Sequence, residues 1–280
     1  MDIGKRIQSR RKELGMTQEQ LATAVYVSPQ AVSQWENNRS LPDICNIGLI
    51  AATLGIRKED LISEEEKTKP SWVVRDQIFS ENNMYRKLKE FAENESLTEM
   101  KKALDYAWEK HADQKRKTSV ISGEQVPYIV HPLMMACQAH AMGIHDDTVL
   151  AVTLLHDVCE DCGVASEELP FPNEIKEAVA LLTKPDSYTK KDQGSYYKGI
   201  AGNSSAAIVK ALDRCNNVST MMLGFPIEKI IEYVDETQDY VYPLLDHIKK
   251  HYPQYYDAVF VLKYQLVSTI ETAKAAILRI

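Results

Sequence analysis

Four side chains that lie far apart in the chain, His131, the adjacent pair His156 and Asp157, and Asp213, read as the split ligand set of a divalent-metal hydrolase. Only folding can bring them together. The middle pair sits in Thr153-Leu-Leu-His-Asp-Val-Cys-Glu-Asp161, an apolar run interrupted by imidazole and carboxylate groups. Charge in such a run is costly unless it is paired or bound to an ion. If the segment is helical, Asp157 lies one turn before Glu160 and Asp161, and the three carboxylates crowd one face. Like charges that close repel unless a cation neutralises them. A mixed imidazole and carboxylate set suits Mn²⁺, Fe²⁺ or Zn²⁺, and suits Mg²⁺ less because of the two histidines. An ion held there can lower the pKa of a water, leaving Glu160 and Asp161 to position that water or to carry protons. The chemistry expected is hydrolysis.

Three segments surround these residues in order: Pro127-Tyr-Ile-Val-His-Pro-Leu133, Leu154-Leu-His-Asp-Val-Cys-Glu-Asp161 and Ala211-Leu-Asp-Arg-Cys-Asn-Asn-Val-Ser-Thr-Met221. Together they resemble the HD-domain phosphohydrolases, and within them the RelA/SpoT-type alarmone hydrolases. The resemblance implies that His131, His156, Asp157 and Asp213 bind Mn²⁺ and that Glu160 and Asp161 are the catalytic carboxylates. It implies as substrate a guanine nucleotide such as ppGpp or pppGpp, from which 3′ pyrophosphate is removed. By the same matching Asn217 and Thr220 contact the nucleoside, and Arg116 and Lys117 stand for the basic pair before the first histidine. The stretch Asp235-Glu-Thr-Gln-Asp-Tyr-Val-Tyr-Pro-Leu244 looks like the family's helix after the last ligand. The sequence departs from the pattern by an insertion after Lys117 and by Asn216, which stands where these enzymes usually carry histidine. No Gly-rich phosphate loop or synthetase domain is recognisable, so degradation without synthesis is expected.

The elements expected around this site are helical, giving an all-α protein: an N-terminal five-helix phage-repressor-like domain and a C-terminal all-helical HD domain. Residues 1–62 read as five short helices. Thr17-Gln-Glu-Gln20 is a capping box opening the second, and Ser28-Pro29 supplies the N-cap and first-turn proline of the third. The short turn Val25-Tyr-Val27 between them fits a helix-turn-helix. Ile3 to Ala22, Val27 to Arg39 and Leu54 to Leu61 resemble the XRE family of DNA-binding domains. The resemblance implies that Pro29 to Asn37 enters the major groove of a double-stranded operator. Gln30, Ala31, Ser33, Gln34 and Asn37 would then face bases, Gln bonding adenine and Ala touching a thymine methyl. Gln18, Asn38 and Arg39 are placed for phosphates, with Arg6, Arg10 and Arg11 on the first helix.

Residues 1–62 hold eight Lys and Arg against seven Asp and Glu, leaving 25 against 33 for the rest of a chain whose net charge is −7. A head this weakly basic needs a homodimer on two half-sites for useful affinity. The polar stretch Ser63 to Ser71 marks a linker, so the expected organisation is a head over 1–64, a linker and connecting helix over 65–95, and the hydrolase over 96–280. No run approaches a membrane span, and five cysteines in 280 residues fit a cytoplasmic protein. The Cys159-x-x-Cys162 pair has no second pair to complete a metal or redox motif. Two functions fit the fusion: an alarmone-type hydrolase with a DNA-binding head, or a nucleotide-sensing transcriptional regulator whose HD domain turns over little or nothing.

Overall fold

The computed structural model describes residues 3–37, 39–42, 44–57, 61, 80–116 and 126–277. These fall in two compact units, Met1–Gln77 and Ile78–Ile280. In the first unit four helices are described: α1 (Ile3–Glu13), α2 (Gln18–Ala24), α3 (Pro29–Glu36) and α4 (Ile44–Thr53). Both local signals act as the sequence reading expects. Thr17 Oγ1 accepts from the Gln20 amide while Gln20 accepts from the Thr17 amide, and Ser28 caps α3 ahead of Pro29. The spacing of Ile7, Leu21, Val32, Trp35, Ile50 and Leu54 buries one stripe of each helix in a common core, with Leu61 added to it. The rest of the expected fifth helix, Asn38 and the linker lie outside the described residues.

An ion pair lies within this core. Arg11 reaches from α1 to Glu36 at the end of α3, with Nε–Oε1 at 2.5 Å and both side chains buried. Burial alone would raise the Glu36 pKa, but hydrogen bonds from Arg11, Gln18 and Gln8 with the Arg11 charge hold it low. Its stabilisation is therefore full above the ordinary carboxylate range and is lost as pH falls through the lowered value. Glu36→Ala leaves a buried guanidinium unpaired and is expected to cost about 3 kcal/mol in urea denaturation of the chain. Arg11→Met with Glu36→Leu should recover most of that loss. A single Glu36→Ala cost under about 1 kcal/mol would count against this account.

The second unit is built from α5 (Glu81–Asn94), α6 (Thr98–Lys110), α7 (Val130–Ala141), α8 (Asp147–Leu155), α9 (Val158–Cys162), α10 (Asn173–Leu182), α11 (Gln193–Ala201), α12 (Ser204–Gly224), α13 (Ile227–Glu236), α14 (Tyr242–His251) and α15 (Tyr256–Ile277). No strand occurs among the described residues, only an antiparallel bridge between Lys115 and Pro127. The helix expected to connect the domains, α5, packs in this unit's core through Met84, Leu88 and Ala92. Two central helices carry the chemistry. Every residue of α8 from Val149 to Leu155 is buried, as befits a helix apolar all round. It packs on α12, which buries Ile208, Val209, Leu212 and Cys215. Between α13 and α14 the chain makes a π-helical turn over Thr237–Val241, just before Pro243, whose missing N–H breaks the ordinary helical register.

Candidate metal centre

The helix expected to run from Thr153 to Asp161 is interrupted at His156-Asp157, although Asp157 to Asp161 still make one helical turn, the Asp161 N–H donating to the Asp157 carbonyl at 2.9 Å. α8 ends at Leu155, His156 and Asp157 form a turn, and a separate short helix follows, closed by Gly163 at φ 66°. The correction has a local cause. His156 Nδ1 lies 2.9 Å from the Thr153 carbonyl, which turns the imidazole back along α8 and its Nε2 toward Asp157. The Asp157 carboxylate then faces histidines and the Tyr128 hydroxyl at 2.6 Å, while the Glu160 carboxylate takes the Lys184 amide at 3.4 Å. Asp157 and Glu160 thus have different partners although they stand one helical turn apart.

The structure brings His131, His156, Asp157 and Asp213 together. The donor atoms of the first three lie within 4.8 Å of one another. Asp213 enters from α12, its Oδ1 3.4 Å from His131 Nε2 and 4.0 Å from His156 Nε2. His131 Nδ1 donates to Asn216 Oδ1 at 2.7 Å, an oxygen that also faces Arg116. Both imidazoles therefore spend Nδ1 on an outer acceptor and direct Nε2 inward, as histidine ligands do. His156 Nε2 is 2.9 Å from Asp157 Oδ2, yet it is buried and makes no hydrogen bond. A buried nitrogen out of line with the oxygen beside it fits a lone pair meant for an ion that both share. The donor set, two imidazoles and two carboxylates, is one that holds a divalent transition metal.

Electrostatics point the same way. Burial opposes charge on His156, but Asp157 and then Asp213 push its pKa up to about 9. Asp157 and Asp213 are held well below the carboxylate range against burial, Asp157 by His156 and Asp213 chiefly by Lys210. The pocket favours positive charge between the two carboxylates. Around it stand Lys210, Arg214 and Glu236, which sequence reasoning did not single out. Lys210 Nζ holds the outer oxygen of Asp213 at 2.9 Å. Arg214 pairs with Glu236 at 2.6 Å, and Tyr197 also donates to Glu236. Lys210 lies one turn before Asp213, a signal visible in Lys210-Ala-Leu-Asp213. Asp161 is exposed, its carbonyl taken by Gln114. Cys159 and Cys162 are free thiols, and Cys162 bonds the Lys110 carbonyl outside the cluster.

The expected nucleoside contacts lie along α12. Asn217 sits one turn after Asp213 and donates to it, and Thr220 is a further turn along, bonded to the Asn216 and Asn217 carbonyls. Arg116 reaches this face, with Nη2 3.1 Å from Asn217 Oδ1. The insertion does not displace it, because Arg116 N bonds Val126 O and Tyr128 N bonds Gln114 O across its base. Lys117 lies outside the described residues.

In the first unit Gln30, Gln34, Asn37 and Arg39 are exposed, whereas Ala31 and Ser33 are half-buried. Gln18 spends its amide on Glu36 at 2.8 Å. Arg11, read as a phosphate contact, is committed to Glu36 inside the core, so that expectation is corrected. Arg10 bonds the Leu54 carbonyl and Glu13.

The fold and cluster thus define an all-helical protein with a helix-turn-helix unit ahead of a helical unit built around a buried His/Asp centre. Comparison with known proteins makes both parts particular. Residues 7–61 match the family model described as helix-turn-helix. The chain is 34% identical over 153 residues to guanosine-3′,5′-bis(diphosphate) 3′-pyrophosphohydrolase of Aquifex aeolicus, a match covering 52% of this chain and 21% of that protein. It is 35% identical over 147 residues to the probable enzyme of that name from Mycoplasma pneumoniae, covering 46% and 19%. The matches span about a fifth of the length of these relatives. The chain shares the fold of a solved metazoan ortholog of SpoT reported to hydrolyse ppGpp, with a TM-score of 0.50 and 20% identity over 63% of this chain and 96% of that one. No helix among the described residues is long and apolar enough to cross a membrane.

Proposed function

We propose that the second unit removes pyrophosphate from the 3′ position of ppGpp or pppGpp and that the first unit binds a DNA operator. The observation that carries the first half is the convergence of His131, His156, Asp157 and Asp213, with an inward, hydrogen-bond-free Nε2 on His156. In this reading those four residues hold the ion, Mn²⁺ by preference. When bound, it lowers the pKa of a water and offsets charge developing on phosphoryl oxygens. The chain's own groups do the rest. Asn216 and the Thr153 carbonyl fix the tautomers of the two ligand histidines. Glu160, whose pKa is raised above the ordinary carboxylate value by partial burial and by Asp157, takes and returns a proton. Asp161 assists at the water, and Arg116, Lys117, Asn217 and Thr220 orient the nucleoside. Lys210 neutralises the outer oxygen of Asp213.

The DNA half rests on the helix-turn-helix match and on the exposure of Gln30, Gln34, Asn37 and Arg39. Asn38 belongs to the same proposed surface, with Ser33 and Ala31 at its inner edge and Gln18 at a phosphate. A homodimer supplies two such heads. Support for it is the apolar stripe left exposed on α15 by Tyr256, Phe260, Tyr264 and Val267. A cytoplasmic location accompanies this reading, since both nucleotide and DNA are found there.

The test is Mn²⁺-dependent release of pyrophosphate from ppGpp by the full chain, beside ordinary and 3′-phosphorylated nucleotides, with selection of a DNA site in parallel. Turnover of 3′-pyrophosphorylated guanine nucleotides alone is expected, with two chains on a palindromic site and loss of site preference in Gln30→Ala plus Gln34→Ala. Binding of ppGpp without turnover would replace the hydrolase with a nucleotide-sensing regulator. An unchanged site preference in the double variant would remove the groove assignment.

A further inference from the structure

A second group of metal-type donors lies in the hydrolase unit, on residues with no part in the centre described above. Glu95 caps the C-terminal end of α5, where the helix dipole disfavours a carboxylate. Two imidazoles answer it. His140, on the last turn of α7, places Nε2 2.9 Å from Oε1, and His145 places Nδ1 2.6 Å from Oε2. All three donor atoms lie within 4.8 Å of one another. The rings are 4.4 Å apart, and His140 is stacked on Phe91 at 3.8 Å.

These positions are held in place from outside the group. His145 lies in the turn between Gly143, at φ 81°, and Asp146, which caps α8. Its neighbour Ile144 is buried in the core. His145 itself keeps 49% of its side chain exposed, so the group can be reached from solvent. The two histidines hold the Glu95 carboxyl below its usual range, His145 more than His140.

We propose that Glu95, His140 and His145 form a second divalent-metal site, for a borderline transition ion of the Zn²⁺ class. Two imidazole nitrogens and one carboxylate oxygen are a three-ligand set that Zn²⁺ accepts with water completing its shell. Binding replaces the two ring N–H hydrogen bonds to Glu95. In each imidazole the proton moves to the other ring nitrogen and the freed lone pair faces the ion. The ion would join the corner after α5 to the corner before α8. The same two corners already meet through Asp147, which accepts from the Glu99 and Met100 amides at 3.0 and 2.7 Å. Since α8 ends in His156 and Asp157, the site would brace the helix that delivers them.

Equilibrium dialysis of the full chain against Zn²⁺, read by elemental analysis, tests this. The wild-type chain should bind two equivalents. Glu95→Gln with His145→Gln should bind one and keep its ppGpp turnover with Mn²⁺, while Asp157→Ala should also keep one, held by the surface group. In the Asp157→Ala background, adding His145→Gln should weaken the remaining binding at least tenfold. The proposal is overturned if Asp157→Ala binds none, or if Glu95→Gln with His145→Gln binds as much as wild type. Loss of turnover in Asp157→Ala reports on the first centre alone, so the two readings fail separately.

Discussion

Asp157→Asn is expected to lower ppGpp turnover by about 10³-fold or more, the equivalent of about 4 kcal/mol of transition-state stabilisation. The substitution keeps the size of the side chain and an acceptor for the Tyr128 hydroxyl, so helix content and thermal unfolding should change little. What it removes is the anion shared by two imidazoles, 2.9 Å from His156 Nε2 and 3.5 Å from His131 Nε2. Two measurements separate loss of the ion from loss of the fold. Mn²⁺ affinity should fall with turnover. The His156 titration should also drop from about 9, because Asp157 is the largest influence raising it and burial then works unopposed by that charge. A variant that keeps a tenth of wild-type turnover would show that the centre does not depend on this carboxylate.

Much of the fold was legible because its signals are local. Thr17 to Gln20 and Ser28-Pro29 name their own helix starts through short-range hydrogen bonds, and the stripe spacing of α5 and α6 needs only a period of 3.6. The four cluster residues were legible as a set because the three segments that carry them resemble the HD-domain phosphohydrolases, whereas a His-Asp pair alone would have said little. The break at His156-Asp157 was not. Periodicity sees Leu154, Leu155 and Val158 as one stripe and has no way to register that an imidazole will fold back on the Thr153 carbonyl. The partners of Arg214 and Glu236 were hidden for another reason. They are ordinary helix residues whose burial is set by packing across α11, α12 and α13, contacts of long sequence separation that one sequence does not encode visibly. Arg11 misled through its neighbours, since a basic run on a first helix reads as surface until Glu36 is seen to fold against it.

Asn216 shows how a departure can be read once geometry is present. In place of the usual histidine it accepts from His131 Nδ1 and from Arg116 through the same oxygen. It thereby links the orientation of a proposed ligand to the arginine assigned to the nucleoside. A histidine could also accept through one ring nitrogen, but it offers a single lone pair to two donors. The amide oxygen has two, which makes the substitution chemically coherent with Arg116 seated where it is.

The second large effect falls on Glu160. Glu160→Gln is expected to lower kcat by about 10²–10⁴-fold, the usual contribution of a positioned acid or base, with KM and Mn²⁺ affinity within a few-fold of wild type. The carboxylate has no place among the proposed ligands, and its bond to the Lys184 amide at 3.4 Å survives in the glutamine through the amide oxygen. Only proton transfer is removed. Burial, then Asp157, raise the Glu160 pKa above its ordinary value, against the Lys184 and Lys210 charges. As a base Glu160 must be ionised, so wild-type activity should fall as pH drops through that raised value, and this acid limb should be absent from whatever activity the glutamine variant retains. The Asp161→Asn variant is the control, since Asp161 is proposed to help place the water beside Glu160. It should lose activity while keeping the acid limb. If Glu160→Gln instead raises KM with kcat intact, the residue holds substrate and the proton is carried elsewhere, with Asp161 the first alternative to test.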